Sequence, residues 1–556
     1  MPTSWYNVIP EILSLIEKHK PRSILDVGIG FGKYGVLIRE VLELPYERYD
    51  KLKWQHRVEG VEVFEGYKNP LHTYAYDKVY YSNILDVIDK LPQYDVILLI
   101  DVLEHFTKEE GYLLLDKLLE HTKNFILIST PLYPDIQKDY EGNPHEEHKS
   151  RWSIIDFVDY DYSFKLIPIG NNGAQLFTIF PTAQGVKEKI NTHLYTQIIE
   201  NNSLNAKPKL KIGYLLPHKN LTGGLKMLLE NMRYMKKRGH TICGFLKSDT
   251  NDDVIPNWYR DIEIDEKIIL PHKDSFSYYI EDCDIVIAGW LGQLIELKRN
   301  KIHVIYWEQG SEWLFGDYRD LSPNSKIREH LKECFSSDVT FVSASPLIAK
   351  VLKVRYGKDS TIIPNGIDTT FYFPRKKEKS SQDISILLVG HPYLWFKGFE
   401  VALIALEMVW RKGYRFNVNW VCQELPNVKN LSYPINFIKK PSQEELAEIY
   451  RNSDMLVFTS WYEGFGMPPL EAMASGIPVI STRCGGVESF ITPGVNGILV
   501  EPGDIEGIAY AVMELIKNSK LREILAKRGR QTALNFDFEK ITEMWETVLY
   551  KVKGDA

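Results

Sequence analysis

With 556 residues, the chain is far too long for one hydrophobic core, and a norm of about 150 residues per domain predicts three or four domains. The formal net charge is −7 and acidic residues are in excess over the first 180, which argues against a nucleic-acid partner because phosphate binding requires a basic face. The five cysteines form no CxxC or Cys/His cluster and no apolar run approaches the ~20 residues that span a bilayer, so we expect a cytoplasmic protein without disulfides.

The first part of the chain predicts a parallel sheet. From Ile24 to about Pro181, β-rich runs such as SILDVG and DVILLID alternate with helix-length segments, a rhythm typical of βαβ units. The series ends with FKLIPIG, an asparagine–glycine turn and QLFTIFP, which predict a hairpin. Residues 1–181 are therefore expected to form one Rossmann-like domain.

A glycine-rich loop, ILDVGIGFGKYG, follows the first predicted strand. The spacing of Gly30, Gly32 and Gly35 formally satisfies the dinucleotide pattern, which alone is a weak indication. Asp26 places a carboxylate at the loop, which disfavours a pyrophosphate, and Glu62 lies about thirty residues on rather than the ~20 of the NAD fingerprint. We therefore expect a cationic ligand without phosphate.

Residues 22–181 resemble a class I S-adenosylmethionine-dependent methyltransferase on the motifs LDVGIGFGKYG, GVEVFE, YYSNILD and DVILLIDVLEH. The resemblance implies S-adenosylmethionine as the cofactor. The residues that it implies around this cofactor are Gly28, Gly30 and Gly32 of the loop at the methionine part, Asp26 near the ammonium, Glu62 at the ribose diol, Asn83 and Ile84 beside the adenine, and Asp101 facing cofactor and acceptor. The family often has aspartate where this chain has Asn83, which still allows a hydrogen bond to adenine.

The stretch NPHEEHKSRWS follows the fifth predicted strand, where such enzymes place residues that contact the acceptor. His148 and His145, then Asp101, are candidates for the general base that a sugar hydroxyl needs. The alternative is a solvated loop. A zinc site of His105, His145 and His148 lacks a fourth ligand and the usual spacing, so no metal is expected.

Two further α/β series follow the first. Residues 182–207 are polar and predict a linker, part of it helical. Alternating strand and helix patterns then run from LKIGYLLP to STIIPNGID, within residues 208–380, and from ISILLVG to GILVEP, within residues 381–535. The predicted fold class is α/β with three Rossmann-like domains.

The most specific pattern in the chain is SWYEGFGMPPLEAMASGIPVISTRCGG. Glu463 and Glu471 are separated by seven residues, with a glycine loop between them and a helix expected to begin near Pro468. The loop aims backbone amides and the positive end of the helix at the space between the glutamates, which suits a diphosphate. The glutamates on either side can accept hydrogen bonds from the hydroxyls of a sugar and a ribose. The alternative is two unrelated surface glutamates.

Residues 208–553 resemble a retaining glycosyltransferase of the GT-B fold and of family four, on TGGLKM, IIPNGID, LVG, EGFGMPPLE and GGVESF. The resemblance implies a nucleotide-sugar donor and a C-terminal helix, residues 536–556, that packs back on the domain of residues 208–380. The residues that it implies around the donor are Glu471 at the ribose, Glu463 at the sugar hydroxyls, the amides of Gly464, Phe465 and Gly466 around sugar and phosphate, Lys397 at the leaving diphosphate, Gly223 and Gly224 across the cleft, and the backbone of residues 438–440 at the base.

Two positions depart from that family pattern. His391 stands where the family usually has an arginine, and a neutral histidine stabilises a diphosphate less than an arginine does. Glu308 and Gln309, in YWEQGSEW, stand where many members have a histidine near the reacting carbon. Lys397 and the helix terminus can carry the diphosphate charge, so this half is not expected to need a metal either.

Together, the two resemblances imply a bifunctional enzyme that glycosylates and methylates one glycan, a lipid-linked acceptor included, in bacterial surface polysaccharide or glycoconjugate synthesis. Two alternatives stay open: a glycosyltransferase whose front domain only binds or scaffolds, and an NAD-dependent front domain that modifies a sugar. The helix MLLENMRYMKKRGH ends in Lys236, Lys237 and Arg238, which favour peripheral contact with an anionic membrane or, equally, a solvated helix end.

Overall fold

A computed structural model describes residues 5–132, 142–169, 172–181, 208–250, 253–259, 262–297, 301–317, 325–375 and 384–554. The predicted linker at 182–207 lies outside these residues. The chain divides into two compact units, Met1–Lys187 with Glu312–Pro323 and Glu188–Ser311 with Asn324–Ala556.

The first unit is built on one seven-stranded sheet with the order β3-β2-β1-β4-β5-β7-β6. Its strands are β1 (Ser23–Val27), β2 (Arg57–Glu62), β3 (Lys78–Tyr81), β4 (Tyr94–Ile100), β5 (Thr122–Pro131), β6 (Asp161–Ile169) and β7 (Asn172–Phe180). Its helices are α1 (Ile9–His19), α2 (Lys33–Leu42), α3 (Pro70–Ala75), α4 (Ile84–Val87) and α5 (Lys108–Glu120). The first five strands are parallel, whereas β7 pairs antiparallel with both β5 and β6 and so forms the predicted hairpin.

Sequence pattern explains these elements. Every residue of β1 is buried, as expected of a central strand covered on both faces, and Ile24 packs in a core with Val96 and Leu98 of β4. Helix α5 begins at a capping box in which Thr107 accepts a hydrogen bond from the amide of Glu110, whose side chain accepts the Thr107 amide in return. The parallel strands thus end at one edge of the sheet, where the loop after β1 and the segment after β4 lie.

The second unit holds two parallel sheets. The first has the order β10-β9-β8-β11-β12-β13-β14. Its strands are β8 (Lys211–Leu216), β9 (Thr241–Lys247), β10 (Glu266–Leu270), β11 (Ile285–Ala288), β12 (His303–Glu308), β13 (Thr340–Ser343) and β14 (Ser360–Ile362). The helices of this part are α6 (Gly223–Lys237), α7 (Gln293–Leu297), α8 (Ser325–Phe335) and α9 (Pro346–Tyr356).

The other sheet of the second unit has the order β17-β16-β15-β18-β19-β20. Its strands are β15 (Ile384–Val389), β16 (Phe416–Cys422), β17 (Ile435–Lys439), β18 (Met455–Phe458), β19 (Val479–Thr482) and β20 (Ile498–Val500). The helices are α10 (Phe399–Arg411), α11 (Gln443–Asn452), α12 (Met467–Ala474), α13 (Ile505–Lys517), α14 (Ser519–Ala533) and α15 (Phe538–Lys553). The prediction of three Rossmann-like α/β sheets is confirmed.

Helix α15 packs on the sheet of β8 to β14. Trp545 is fully buried, and its ring centroid lies 4.7 Å from that of Trp307 in β12. Glu546 accepts hydrogen bonds from Nη2 of Arg238 at 2.6 Å and from Nε2 of His240 at 3.0 Å. Burial alone would raise the pKa of Glu546, but these two donors outweigh it and lower the pKa to about 2.

The basic end of α6 is largely neutralised by such pairs. Nζ of Lys236 lies 2.5 Å from a carboxylate oxygen of Asp265, and Arg238 pairs with Glu546. This pairing does not support the expected contact with an anionic membrane, since two of the three charges already have acidic partners. Within the described residues, no helix combines the length and apolar character needed to cross a membrane.

One segment departs from the predicted domain limits. Residues Glu312–Pro323, assigned by the sequence to the domain of residues 208–380, cluster with the first unit. The amide of Phe164 in β6 donates to the carbonyl of Gly316 at 3.1 Å, and Phe164 and Asp317 form a parallel bridge. The segment therefore supplies a partner for the outer strand of the first sheet.

Candidate functional site

In the second unit, a lysine and a glutamate meet beside the loop that precedes α12. Nζ of Lys397 donates to Oε1 of Glu463 at 2.6 Å, and Oγ of Ser460 donates to the same oxygen at 2.8 Å. Both ionic side chains are largely but not fully buried, with 19% and 13% of their surface exposed. The structure thus brings together the two residues that the sequence assigned to the leaving group and to the sugar.

The loop between the two glutamates ends at Gly466, the N-cap of α12, with prolines in the first helical turn. Its free amides and the helix terminus make this an anion-binding position. Gly464 is needed for close approach, since a Cβ there would lie 2.0 Å from the carbonyl oxygen of Gln309. Phe465 is buried against Phe490, with ring centroids 5.2 Å apart, so its side chain anchors the loop.

Glu471 lies in α12 in surroundings that the sequence did not anticipate. Its Oε1 accepts Nζ of Lys226 at 2.8 Å and the hydroxyl of Tyr372 at 3.2 Å, and its Oε2 accepts the hydroxyl of Tyr450 at 2.9 Å. Burial would lower the pKa of Lys226, but the adjacent carboxylate outweighs it and raises that pKa above its usual range.

These contacts bear on the role expected for Glu471, and its contact with a ribose stays a prediction. Oε1 has both lone pairs occupied and Oε2 has one left, so the side chain cannot accept two ribose hydroxyls without losing a buried partner. The geometry makes Glu471 the acceptor at the centre of a buried cluster that ties α6 to α11 and α12. We call this cluster, consisting of Lys226, Tyr372, Tyr450 and Glu471, the Glu471 cluster.

The remaining donor-side residues lie near these elements. Gly223 is the first residue of α6, and the carbonyl of Gly224 accepts a hydrogen bond from Nε2 of Gln309 at 3.1 Å. Nδ1 of His391, just after β15, accepts the amide of Tyr393 at 3.3 Å. That bond assigns the proton of a neutral imidazole to Nε2, which can then donate to a phosphate oxygen.

Glu308, at the end of β12, accepts hydrogen bonds from neighbouring residues of its own segment. It is buried, its Oε2 accepts the hydroxyl of Tyr306 at 2.7 Å, and its Oε1 accepts the amides of Gly310 and Ser311 at 2.8 and 3.2 Å. Burial raises the pKa of Glu308. The carboxylate therefore holds the loop that carries Gln309. The carbonyl oxygen of Gln309 lies against Gly464, in the loop between Glu463 and Glu471.

The first unit contains a cavity of about 530 Å³ at the carboxyl end of its parallel strands. Five carboxylate residues line it, against two lysines, Lys33 and Lys149. The carboxylates are Glu62, Asp101, Glu104, Glu110 and Glu146. This excess of acids suits a cationic ligand and disfavours the pyrophosphate of NAD.

Most of the predicted cofactor residues line this cavity, namely Gly28, Gly30, Glu62, Asn83, Ile84 and Asp101. Gly28 has φ +74°, and a Cβ there would lie 2.5 Å from Cγ2 of Val102, so only glycine fits. Glu62 accepts the amide of Gly30 at 2.8 Å on Oε2 and that of Phe64 at 2.9 Å on Oε1. One lone pair therefore remains on each oxygen, enough for a diol.

Asp26 and Gly32 are not among the residues that line the cavity, so the cofactor contacts expected of them stay predictions. Oδ2 of Asp26 accepts the hydroxyl of Tyr76 at 2.6 Å, and burial raises the pKa of this carboxyl to about 7. Gly32 serves as the N-cap of α2. Tyr76, which lies fifty residues away in sequence, thus occupies one oxygen of Asp26 in the core.

Asp101 and Lys33 face the cavity together. Oγ of Ser129 donates to Oδ1 of Asp101 at 2.8 Å. Burial raises the pKa of Asp101 to about 6 and lowers that of Lys33. A carboxyl with such a pKa can accept a proton near neutral pH, as a general base must.

Glu104, His105 and His148 form a cluster that the sequence did not predict, with one ligand-type atom from each within 4.8 Å of the others. Burial raises the pKa of Glu104 well above its usual range and lowers that of His105 to about 4. His145 lines the same cavity but is exposed and lies outside this cluster. In the sequence, only the Asp-x-x-Glu-His spacing of residues 101–105 after β4 points to this cluster. That His148 joins Glu104 and His105 is a result of the fold.

Known proteins share the architecture of the second unit. Residues 373–532 match the family described as glycosyl transferases group 1. The lipopolysaccharide core biosynthesis glycosyltransferase LpsE of Rhizobium meliloti is 39% identical over 306 residues, which cover 52% of this chain and 87% of that protein. The N-acetyl-alpha-D-glucosaminyl L-malate synthase of Bacillus anthracis is 32% identical over 253 residues, 42% of this chain but only 65% of that enzyme's length.

Among solved structures, a sucrose-phosphate synthase from Thermosynechococcus elongatus has the same GT-B fold, with a TM-score of 0.52 at 18% identity over 63% of this chain and 100% of that one. By these sequence matches, the chain belongs to the glycosyl transferases group 1 family.

Proposed function

We propose that the second unit transfers a sugar from a nucleotide-sugar donor to a glycan acceptor with retention of configuration. The Lys397–Glu463 pair beside the N-terminus of α12 carries this proposal. Lys397 and the free amides of the loop offset charge that develops on a departing diphosphate, and Glu463 orients the sugar through its second oxygen. Retention is proposed on the family resemblance, with front-face attack assisted by the leaving diphosphate.

The acceptor that we propose is a bacterial surface glycan or glycoconjugate, lipid-linked acceptors included. A relative named for lipopolysaccharide core biosynthesis supports this class, since 87% of its length aligns with this chain. Screening nucleotide sugars against the full-length chain by release of the nucleoside diphosphate tests the donor. Absence of release with every nucleotide sugar, in the presence of candidate glycans, would contradict the proposal.

For the first unit, we propose methyl transfer from S-adenosylmethionine to a hydroxyl of the same glycan. The cavity fits this cofactor in three ways: Gly28 leaves room for a close ligand, Glu62 keeps two lone pairs for a ribose diol, and the acidic wall accommodates a cation. When bound, S-adenosylmethionine supplies an electrophilic methyl group. Asp101 is placed in the wall with a pKa of about 6 and is the carboxylate best suited to take the hydroxyl proton.

Calorimetric titration of the full-length chain distinguishes this proposal from the two alternatives. Binding of S-adenosylhomocysteine together with methylation of the glycan supports it. Binding of NADH instead would support an NAD-dependent front unit. Binding of neither ligand would leave the first unit as a scaffold and would contradict methyl transfer.

A further inference from the structure

Two imidazoles and a carboxylate converge at the wall of the first-unit cavity, just beyond the carboxyl end of β4. Glu104, His105 and His148 each present one ligand-type atom, and these atoms lie within 4.8 Å of one another. Bonds from zinc to nitrogen or oxygen are about 2.0–2.2 Å, so the ligand atoms of one ion are at most about 4.4 Å apart. Small side-chain rotations would therefore bring the three atoms around a single ion.

A separate observation points to a missing positive partner. Glu104 is only 2% exposed, and its Oε2 has no hydrogen-bond partner among the residues that the structure describes. Leaving a buried carboxylate oxygen without a donor is costly, and a cation removes that cost. The unsatisfied oxygen belongs to Glu104, the acidic residue of the cluster and the one that binds a metal ion as a carboxylate.

The orientation of His105 also suits a metal ligand. Its Nδ1 lies 3.2 Å from the carbonyl oxygen of Glu147. Because a carbonyl can only accept, Nδ1 carries the proton and Nε2 keeps its lone pair. Ligand histidines in metalloproteins are commonly held in this way by a backbone carbonyl. The ring of His148 lies beside that of His105, with centroids 5.1 Å apart.

We propose that Glu104, His105 and His148 bind one divalent transition-metal ion, with open coordination positions facing the cavity. Two imidazoles and one carboxylate are a ligand set that zinc and related ions accept, whereas magnesium prefers oxygen ligands throughout. Such an ion would orient and acidify a hydroxyl of the acceptor, the group that must lose a proton in methyl transfer. This role rests on the function proposed above, but metal binding itself does not.

The test is titration of the untagged full-length chain, stripped with a chelator and dialysed, with ZnCl₂, MnCl₂ and MgCl₂. We expect one equivalent of Zn²⁺ to bind, Mn²⁺ to bind more weakly and Mg²⁺ not to bind. Glu104→Gln and His148→Ala should each weaken Zn²⁺ binding at least tenfold. The control His272→Ala, which removes an exposed histidine of the second unit, should leave it unchanged. No stoichiometric Zn²⁺ binding, or equal binding by wild type and Glu104→Gln, would overturn the proposal.

A second titration, with S-adenosylhomocysteine, separates the two proposals and shows whether the variants fold. A variant that binds S-adenosylhomocysteine normally but has lost Zn²⁺ is folded and supports the site. Wild-type binding of S-adenosylhomocysteine without any Zn²⁺ binding overturns the metal site alone. Zn²⁺ binding that depends on Glu104, without S-adenosylhomocysteine binding, supports the metal site and contradicts methyl transfer.

Discussion

Replacing Glu471 with alanine distinguishes a structural carboxylate from a donor-binding one. In the structure this side chain accepts hydrogen bonds from Lys226, Tyr372 and Tyr450, all within the second unit. The substitution would leave a buried ammonium without its carboxylate and two buried hydroxyls without their acceptor. Removing one partner of a buried ion pair costs about 3–5 kcal/mol, a large part of the stability of an ordinary domain.

The measurement is urea unfolding of the full-length protein, followed by circular dichroism and tryptophan fluorescence. Glu471→Ala should lower the midpoint of the second unit's transition by the equivalent of about 3–5 kcal/mol. Tyr450→Phe removes one hydrogen bond of the Glu471 cluster and should cost about 1 kcal/mol. Lys412→Ala, at an exposed position of the second unit outside the cluster, is the control and should leave the midpoint nearly unchanged. An unchanged midpoint for Glu471→Ala, with a strongly raised KM for the donor, would show that the carboxylate contacts the ribose instead.

Four further outcomes are expected. Lys397→Ala and Glu463→Ala should each lower the kcat of nucleotide release about 10²–10³-fold, because the pair acts on the leaving group and the sugar, whereas Lys412→Ala at an exposed position should not. The same transfer should survive EDTA and give a product of retained configuration by NMR, because Lys397 supplies the positive charge. Glu62→Ala should weaken S-adenosylhomocysteine binding by about 1–3 kcal/mol in calorimetry without affecting glycosyl transfer. The lowered pKa of Glu546, about 2 against an ordinary 4.5, means that its stabilising contribution is complete above pH 4.5 and is lost as the pH falls towards 2. Wild-type stability in urea should therefore fall more steeply over that window than that of Glu546→Gln.

Each of these expectations has a result that would count against it. Normal turnover in either alanine variant would remove that residue from the donor site. An inverted product, or activity lost in EDTA and restored by Mn²⁺, would contradict metal-free retaining transfer. Unchanged binding by Glu62→Ala would remove the ribose contact, and equal acid sensitivity of Glu546→Gln would show that the ion pair on α15 contributes little.

The sequence was informative where a function depends on neighbours along the chain. The alternation of strands and helices predicted three α/β sheets, and the glycine loops predicted where backbone would approach a ligand. Gly28, Gly30 and Glu62 could be placed together because parallel strands end at the same edge of a sheet. Lys397 could be placed opposite Glu463 only through the family resemblance, since sixty-six residues separate them.

Sequence spacing could not show the partners of side chains that are contacted from far along the chain. Glu471 was assigned to a ribose because its spacing from Glu463 is local, whereas its partner Lys226 lies 245 residues away. Asp26 was assigned to an ammonium, but Tyr76 reaches it from another element and occupies it. In both cases burial turns an apparently available carboxylate into a satisfied one, and sequence spacing carries no information about burial.

Residues 312–317 cover the outer strand β6, so the first unit cannot be isolated as a simple N-terminal fragment without exposing that strand. β6 is the last strand of its sheet, and an edge strand without cover invites pairing with another chain. A fragment ending near residue 182 would lack Gly316 and Asp317, so we expect it to self-associate more readily than the intact protein does. During synthesis, more than a hundred further residues must follow β6 before the segment that pairs with it has been made, so the edge of the first sheet stays uncovered over that interval.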